Sequence, residues 1–131
     1  MSVVVDASVL VRALVQSGQP GDRARSALTD EDLHAPEVID LEVASALRRL
    51  VSTRAITGTA AREALGLLAT GPVQRYPHAS MLDRIWELRE NVAPSDAAYI
   101  ALAEALDAPV VTSDGHLARA TGPRCRLTLV P

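Results

Sequence analysis

The chain contains no lysine, no phenylalanine and only one cysteine, Cys125, in 131 residues. Without lysine there is no Walker lysine for a phosphate, no Schiff-base nucleophile and no lysine general base. One cysteine permits neither an internal disulfide nor a cysteine-built metal cage. Aromatic residues make up 2% (Trp86, Tyr76 and Tyr99), too few for a base-stacking platform. Positive charge is also short. Thirteen basic against 16 acidic residues leave a net charge of −3, which excludes coating of nucleic acid through bulk charge. No apolar run approaches the ~18 residues of a membrane span. The segment 1–6 lacks a basic n-region and meets an acid too early for a secretory leader. The expectation is a cytoplasmic protein with no membrane partner.

What remains is 48% hydrophobic and 22% charged, the composition of one globular domain spanning 1–131. Val3-Val4-Val5 reads as a buried strand that stops at Asp6. A helix is expected over 9–16, a turn at Gly18-Gln19-Pro20-Gly21 and a second helix over 22–28. A short strand follows at 33–35. Pro36 reads as a first-turn residue of a helix over 38–52. Thr59 is the expected cap of a helix over 60–69, and Ser95 of one over 96–106. Further strands are expected at 73–76, 109–112 and 126–130, and a helix at 80–90. The apolar helices at 9–15 and 60–69 read either as core or as partner surfaces. Strands alternating with helices give an α/β fold with a mainly parallel sheet.

Four carboxylates stand at places where that fold makes them count. Ligands of open parallel sheets bind beyond the carboxyl ends of the strands. Asp6 directly follows the first strand, and Asp114 follows 110–112 by one residue. Either acid alone could equally be a helix cap or turn former. Ser8, Thr112 and Ser113 supply hydroxyls beside them. Glu42 falls inside or at the edge of the apolar stripe of its helix, paired through Arg49 or Ser45 if it is merely structural. An inward glutamate is costly unless it is paired or bound to a cation. Asp96 suits the first turn of its helix through the dipole alone, yet it shares a stripe with Tyr99, Ile100 and Ala103. Two carboxylates ~5 Å apart at an effective dielectric of ~20 repel by about 3 kcal/mol. Four that converge must take up protons or a cation, and all-oxygen ligands suit Mg²⁺ or Mn²⁺.

The segments Val3-Val4-Val5-Asp6-Ala7-Ser8, Pro36-Glu37-Val38-Ile39-Asp40-Leu41-Glu42, Ser95-Asp96-Ala97-Ala98-Tyr99-Ile100 and Val110-Val111-Thr112-Ser113-Asp114 occur in an order that resembles the PIN-domain ribonucleases. More narrowly, the chain resembles the VapC toxins of bacterial type II toxin–antitoxin pairs. The resemblance covers essentially the whole chain. It implies a three-layer α/β/α sandwich and a Mg²⁺- or Mn²⁺-dependent endoribonuclease. It implies that Asp6, Glu42, Asp96 and Asp114 are the catalytic acids. Asp6 and Asp96 would ligate the metal directly, and Glu42 and Asp114 directly or through water. Ser8, Thr112 and Ser113 would be supporting hydroxyls. It further implies a homodimer, an RNA substrate and a VapB-like antitoxin, with DNA bound only through that antitoxin.

The chain departs from the family pattern in two places. Ser45 stands where relatives often carry Asn. Gly115-His116 follow the last acid where many carry Arg or Lys, and His116 reads as a turn residue or a weak replacement charge. Arg12, Arg48 and Arg49 are candidates for RNA phosphate contacts, with ordinary surface charge as the plainer reading. The other function class compatible with the pattern is a catalytically silent PIN-type interaction module. A receiver or small phosphatase domain is disfavoured by the missing lysine and by Ser8 at the position of a second Asp.

Overall fold

Strand β1 (Ser2–Val5) lies at the centre of the sheet because its three valines are β-branched and buried on both faces. The structure, a computed structural model, describes residues 1–131. The other strands are β2 (Asp32–Pro36), β3 (Gln74–Tyr76), β4 (Val110–Thr112) and β5 (Leu127–Leu129). All four pairings are parallel and the order is β3-β2-β1-β4-β5. The chain leaves β1 for β2 on one side, and β4 joins β1 on the other. The switch point therefore falls between β1 and β4, where Val5 aligns with Val111.

Helices α1 (Ala7–Val15), α2 (Gly18–Leu28), α3 (Ile39–Ser52) and α4 (Gly58–Thr70) pack on one another. Helix α5 (Leu82–Glu87) packs on α6 (Pro94–Leu106), and α6 lies against β1, β2 and β4. A short α7 (Gly115–Ala118) follows β4. The sheet is thus flanked by helices in a three-layer α/β/α sandwich. Residues Ala97 to Ala103 of α6 are all buried, and the small alanines among them let the helix sit deep in the body. No helix is long and apolar enough to cross a membrane.

Several local expectations are corrected. Gly18-Gln19-Pro20-Gly21 is the first turn of α2, not a separate turn. Gly18 has φ +78, and a Cβ on Gly21 would sit 1.8 Å from the Gln16 carbonyl oxygen. Gly18 supplies the left-handed backbone between the end of α1 and α2, and Gly21 serves the close approach of the two helices. Pro36 ends β2 rather than opening α3. Thr57, not Thr59, caps α4, accepting from the Ala60 N–H at 3.1 Å. Ala93 precedes α6, with Pro94 in the first turn and Ser95 already helical. The helix expected over 80–90 splits into a 3-10 turn (Ala79–Met81) and the short α5. The buried face of α1, Val9, Leu10 and Val11, belongs to the core.

Candidate active site

Asp6 leaves the end of β1 with an extended backbone and caps α1. It is 6% exposed, so each of its oxygens must be satisfied from within. Oδ1 accepts the Ser8 hydroxyl at 2.7 Å and the Val9 N–H at 3.2 Å, and Oδ2 accepts the Thr112 hydroxyl at 2.5 Å. The two hydroxyls are themselves fixed by backbone donors from the turn after β4. Ser8 Oγ accepts the Ser113 N–H at 3.0 Å, and Thr112 Oγ1 accepts the Asp114 N–H at 2.9 Å. Amide, hydroxyl and carboxylate thus form two parallel relays that tie the end of β1 to the end of β4. A carboxylate has about four acceptor positions. Three are used, which leaves one unused on Oδ2 of a residue that lines a cleft.

Glu42 comes from the first turns of α3 and Asp96 from the first turn of α6. The Tyr99 hydroxyl donates to Glu42 Oε1 at 2.5 Å. Arg49 and Ser45, the sequence-level candidates for that pairing, are exposed on α3. Tyr99 is 1% exposed. Its hydroxyl pKa is pushed up by burial first and by Glu42 second, so it stays a donor. Asp114, after β4, caps α7 by accepting the His116 N–H at 2.9 Å.

These four acids line one cleft of about 490 Å³, together with Ser8, Tyr99, Arg12 and Arg49. The shared charge contributes to the lowered acidity of two of them, Asp6 and Asp96. Asp6 is held above the usual carboxylate range by burial, against its three hydrogen bonds, and the Asp114 charge adds to the rise. Asp96 is raised by burial, then by Glu42, Asp114 and Asp6, with His116 acting the other way. No three of the acidic, histidine or cysteine side chains are grouped so as to hold a metal ion between them as placed. A Mg²⁺-class ion uses one or two carboxylates and keeps several waters. The open acceptor on Asp6, the half-buried Asp96 and the all-oxygen donor set fit such a hard, partly hydrated cation.

The structure brings Asp6, Ser8, Glu42, Asp96, Thr112 and Asp114 into one constellation. Arg12 and Arg49 reach its wall, whereas Arg48 is exposed and outside the cleft lining, one residue and about 100° away from Arg49 on α3. Ser113 takes part through its backbone N–H, while its hydroxyl is buried without a partner. Tyr99 was visible in the sequence only as a stripe residue. Its spacing of three from Asp96 places it on the same face of α6, and that was the available signal.

The sequence matches the PIN domain family model over residues 3–123. Relatives named Ribonuclease VapC9 and Ribonuclease VapC1, both of Mycobacterium tuberculosis, match it along nearly their whole length. The first is 41% identical over 98% of this chain and 98% of its own. The second is 42% identical over 97% of this chain and 96% of its own. The chain belongs to the PIN-domain family, in its VapC branch. Solved PIN folds agree. The Mycobacterium tuberculosis VapC20 structure, described as a Sarcin-Ricin loop cleaving toxin, superposes with TM-score 0.69 at 15% identity, covering 88% of this chain and 92% of that one. The Rickettsia felis VapBC2 structure, bound to a promoter DNA fragment, gives TM-score 0.69 at 14% identity over 97% of both chains. At these identities the structures speak for the PIN fold alone.

Proposed function

We propose that this VapC-family chain is the toxin of a bacterial type II toxin–antitoxin pair and a Mg²⁺- or Mn²⁺-dependent endoribonuclease. The observation that carries the reading is the convergence of Asp6, Glu42, Asp96 and Asp114, from four separate elements, on one cleft at the sheet's switch point. Relatives named as ribonucleases support the reaction class. Solved complexes described as VapBC2 and FitAB, each bound to a DNA fragment, support an antitoxin partner, through which any DNA contact would run. In this reading the toxin is a single PIN domain that works in the cytoplasm and pairs as a homodimer.

Asp6 and Asp96 would hold the ion directly, and Glu42 and Asp114 directly or through water. Bound there, the ion would supply positive charge to a phosphate oxygen and acidify a water molecule. The chain's own contribution is positioning and proton handling. The Ser8 and Thr112 hydroxyls and the Val9 N–H favour the ionised form of Asp6 against its burial and aim it. Tyr99 pins one oxygen of Glu42 and leaves the other to orient or deprotonate the attacking water. Arg12 and Arg49 on the wall are placed to meet the flanking RNA phosphates. Water adds at phosphorus, the phosphodiester bond to the leaving oxygen breaks, and that oxygen takes up a proton.

The test is incubation of the antitoxin-free protein with total bacterial RNA over a titration of Mg²⁺ and Mn²⁺. Asp6→Asn and Asp96→Asn are run alongside, with folding checked by circular dichroism. Discrete fragments that need the metal and vanish in both folded variants are the expected result. No cleavage and no metal binding by the folded wild type would sink the nuclease reading and leave a protein-interaction module.

A further inference from the structure

A second cavity, of about 440 Å³, lies between the start of α6 and the segment after β4. It meets the acid cleft at Asp96, which lines both. Its size is that of a small-ligand pocket. Val92 and Leu117 form an apolar floor, and both are buried. Asn91, His116, Arg119 and Thr121 supply polar groups on the walls.

Arg119 differs from the structural arginines. Arg25, Arg75 and Arg84 are all committed to carboxylates, and Arg119 is in none of the ion pairs. Its guanidinium is folded back over Gly115, where a Cβ would stand 2.9 Å from Nη1. Glycine at this position leaves room for a cation beside the backbone that follows Asp114. On the far side, Gly122 turns the chain with φ +106, and a Cβ there would lie 3.3 Å from the Asn91 amide nitrogen. That turn brings a group with two donors and an acceptor into the lining.

We propose that this cavity is a nucleotide subsite, seating one nucleotide of single-stranded RNA beside the scissile phosphodiester. Arg119 is the phosphate anchor and Asn91 reads the edge of the base. The subsite deepens the ribonuclease reading and rests on it for the identity of the strand. A strand whose phosphate sits among the four acids must place a flanking nucleotide to one side of Asp96, and this cavity shares Asp96 with the acid cleft. The cavity suits one base splayed from its neighbours, as single-stranded RNA allows and a stacked duplex does not. The chain has no aromatic residue here, so the flat guanidinium of Arg119 and the apolar floor are the surfaces on which a base can lie. Glu90 and Asp96 also line the cavity, and their negative charge favours a phosphate seated at Arg119, the one arginine of the lining.

The test uses ¹⁵N-labelled full-length protein carrying Asp6→Asn, so that RNA is not cut, in buffer containing EDTA. The probes are the four nucleoside 5′-monophosphates and a random-sequence 10-mer RNA. Amide shifts are expected at residues 91–93 and 116–121. In the same background, Arg119→Gln should weaken binding of the 10-mer about tenfold, the size of one lost charge-assisted hydrogen bond. It should also lower the salt slope by about one ion. Arg62→Gln, on the exposed face of α4, is the control and should change neither. In the cleaving protein, Asn91→Ala should alter which nucleotide flanks the cut.

Shifts confined to another surface, or an Arg119→Gln effect equal to that of Arg62→Gln, would overturn the subsite. So would shifts at 116–121 raised by an arginine-bearing peptide but not by RNA, which would give the cavity to a protein partner. RNA binding in this cavity without any metal-dependent cleavage by wild type would retain the subsite and remove the nuclease reading. Cleavage unaffected by either variant would do the reverse.

Discussion

Asp96 and Glu104 stand two turns apart on the same helix, and they are held in opposite ways. Glu104 takes Arg84 through both oxygens, at 2.7 and 3.0 Å, and the Arg124 N–H at 2.7 Å. Burial alone would raise its pKa, but these donors outweigh burial and hold it below the usual range. Asp96 has no arginine. Burial and three other acids hold it above that range. Asp40 follows the first pattern, clasped by Arg75 at 2.8 Å. Asp6 follows the second, with neutral donors only. Acids that brace the fold are neutralised by guanidinium groups. Acids in the cleft are aimed by hydroxyls, amides and a phenol, which orient a carboxylate without cancelling its charge. The cleft therefore keeps a negative field that a cation can relieve, at some expense of stability.

The largest expected effect lies on the cleft side. Asp6→Asn or Asp96→Asn should lower metal-dependent RNA cleavage at least ~10³-fold, measured as initial rate, while the circular dichroism spectrum is retained. The mirror experiment is Arg84→Met. It should cost about 2–3 kcal/mol in urea melts, because Glu104 is left partly buried without its cation, and it should leave the cleavage pattern as it was. Loss of cleavage with full stability would break the division between bracing and functional acids.

A metal titration sharpens the same contrast. At a concentration about a hundred times its Kd, Mg²⁺ or Mn²⁺ should add about 2.7 kcal/mol of stability, or roughly 8 °C in Tm. Chelation should reverse the shift, and Asp96→Asn should abolish it in scanning fluorimetry. Tyr99→Phe is expected to be milder. Losing one buried hydroxyl costs about 1 kcal/mol. Cleavage should fall about tenfold as Glu42 loses its fixed orientation. If Tyr99 acts through Glu42, the same change should add almost nothing in a Glu42→Gln background.

The smallest expected effect is a pH dependence of opposite sign on the two sides. Asp96 has a raised folded pKa, so its ionisation opposes folding. That penalty is absent near pH 3.8, grows as pH rises through the folded value and is complete above it. Metal-free Asp96→Asn should therefore melt higher than wild type at pH 7, by roughly 2 °C after solvent screening, and equal it near pH 4. Glu104 has a lowered folded pKa. Its contribution is complete above 4.5 and is lost as pH falls through the folded value. The deficit of Arg84→Met should shrink in that acid range. Parallel melting curves for both variants would undo the comparison.

The sequence made the ends of the sheet easy to read. Three successive valines followed by Asp6, and Val110-Val111-Thr112 followed by Asp114 one residue on, place two acids beyond strand ends by local pattern alone. Helix starts were harder. Gly18-Gln19-Pro20-Gly21 reads locally as a loop, but Gly21 is there for the close approach of two helices, which local pattern does not report. At Pro94, local chemistry favoured Ser95 as a cap, but the proline fixes the backbone one residue earlier. The pairs Thr112–Asp6 and Tyr99–Glu42 join residues 106 and 57 positions apart. The order of the strands brings the first pair together and the packing of α3 and α6 the second, and periodicity carries no information about either.

The double relay on Asp6 has a practical side. Because this carboxylate caps α1 and clasps β1 to β4, trimming it to alanine would strip the acceptor from Ser8, Val9 and Thr112 together. Asparagine keeps the oxygen that faces Ser8 and Val9. Its amide nitrogen can donate to Thr112 Oγ1, whose own proton is free to rotate away. Under the proposed ribonuclease reading, a host cell should thus accumulate Asp6→Asn as a folded, inactive stand-in. That variant suits the isolation of the RNA and protein partners that the reading calls for.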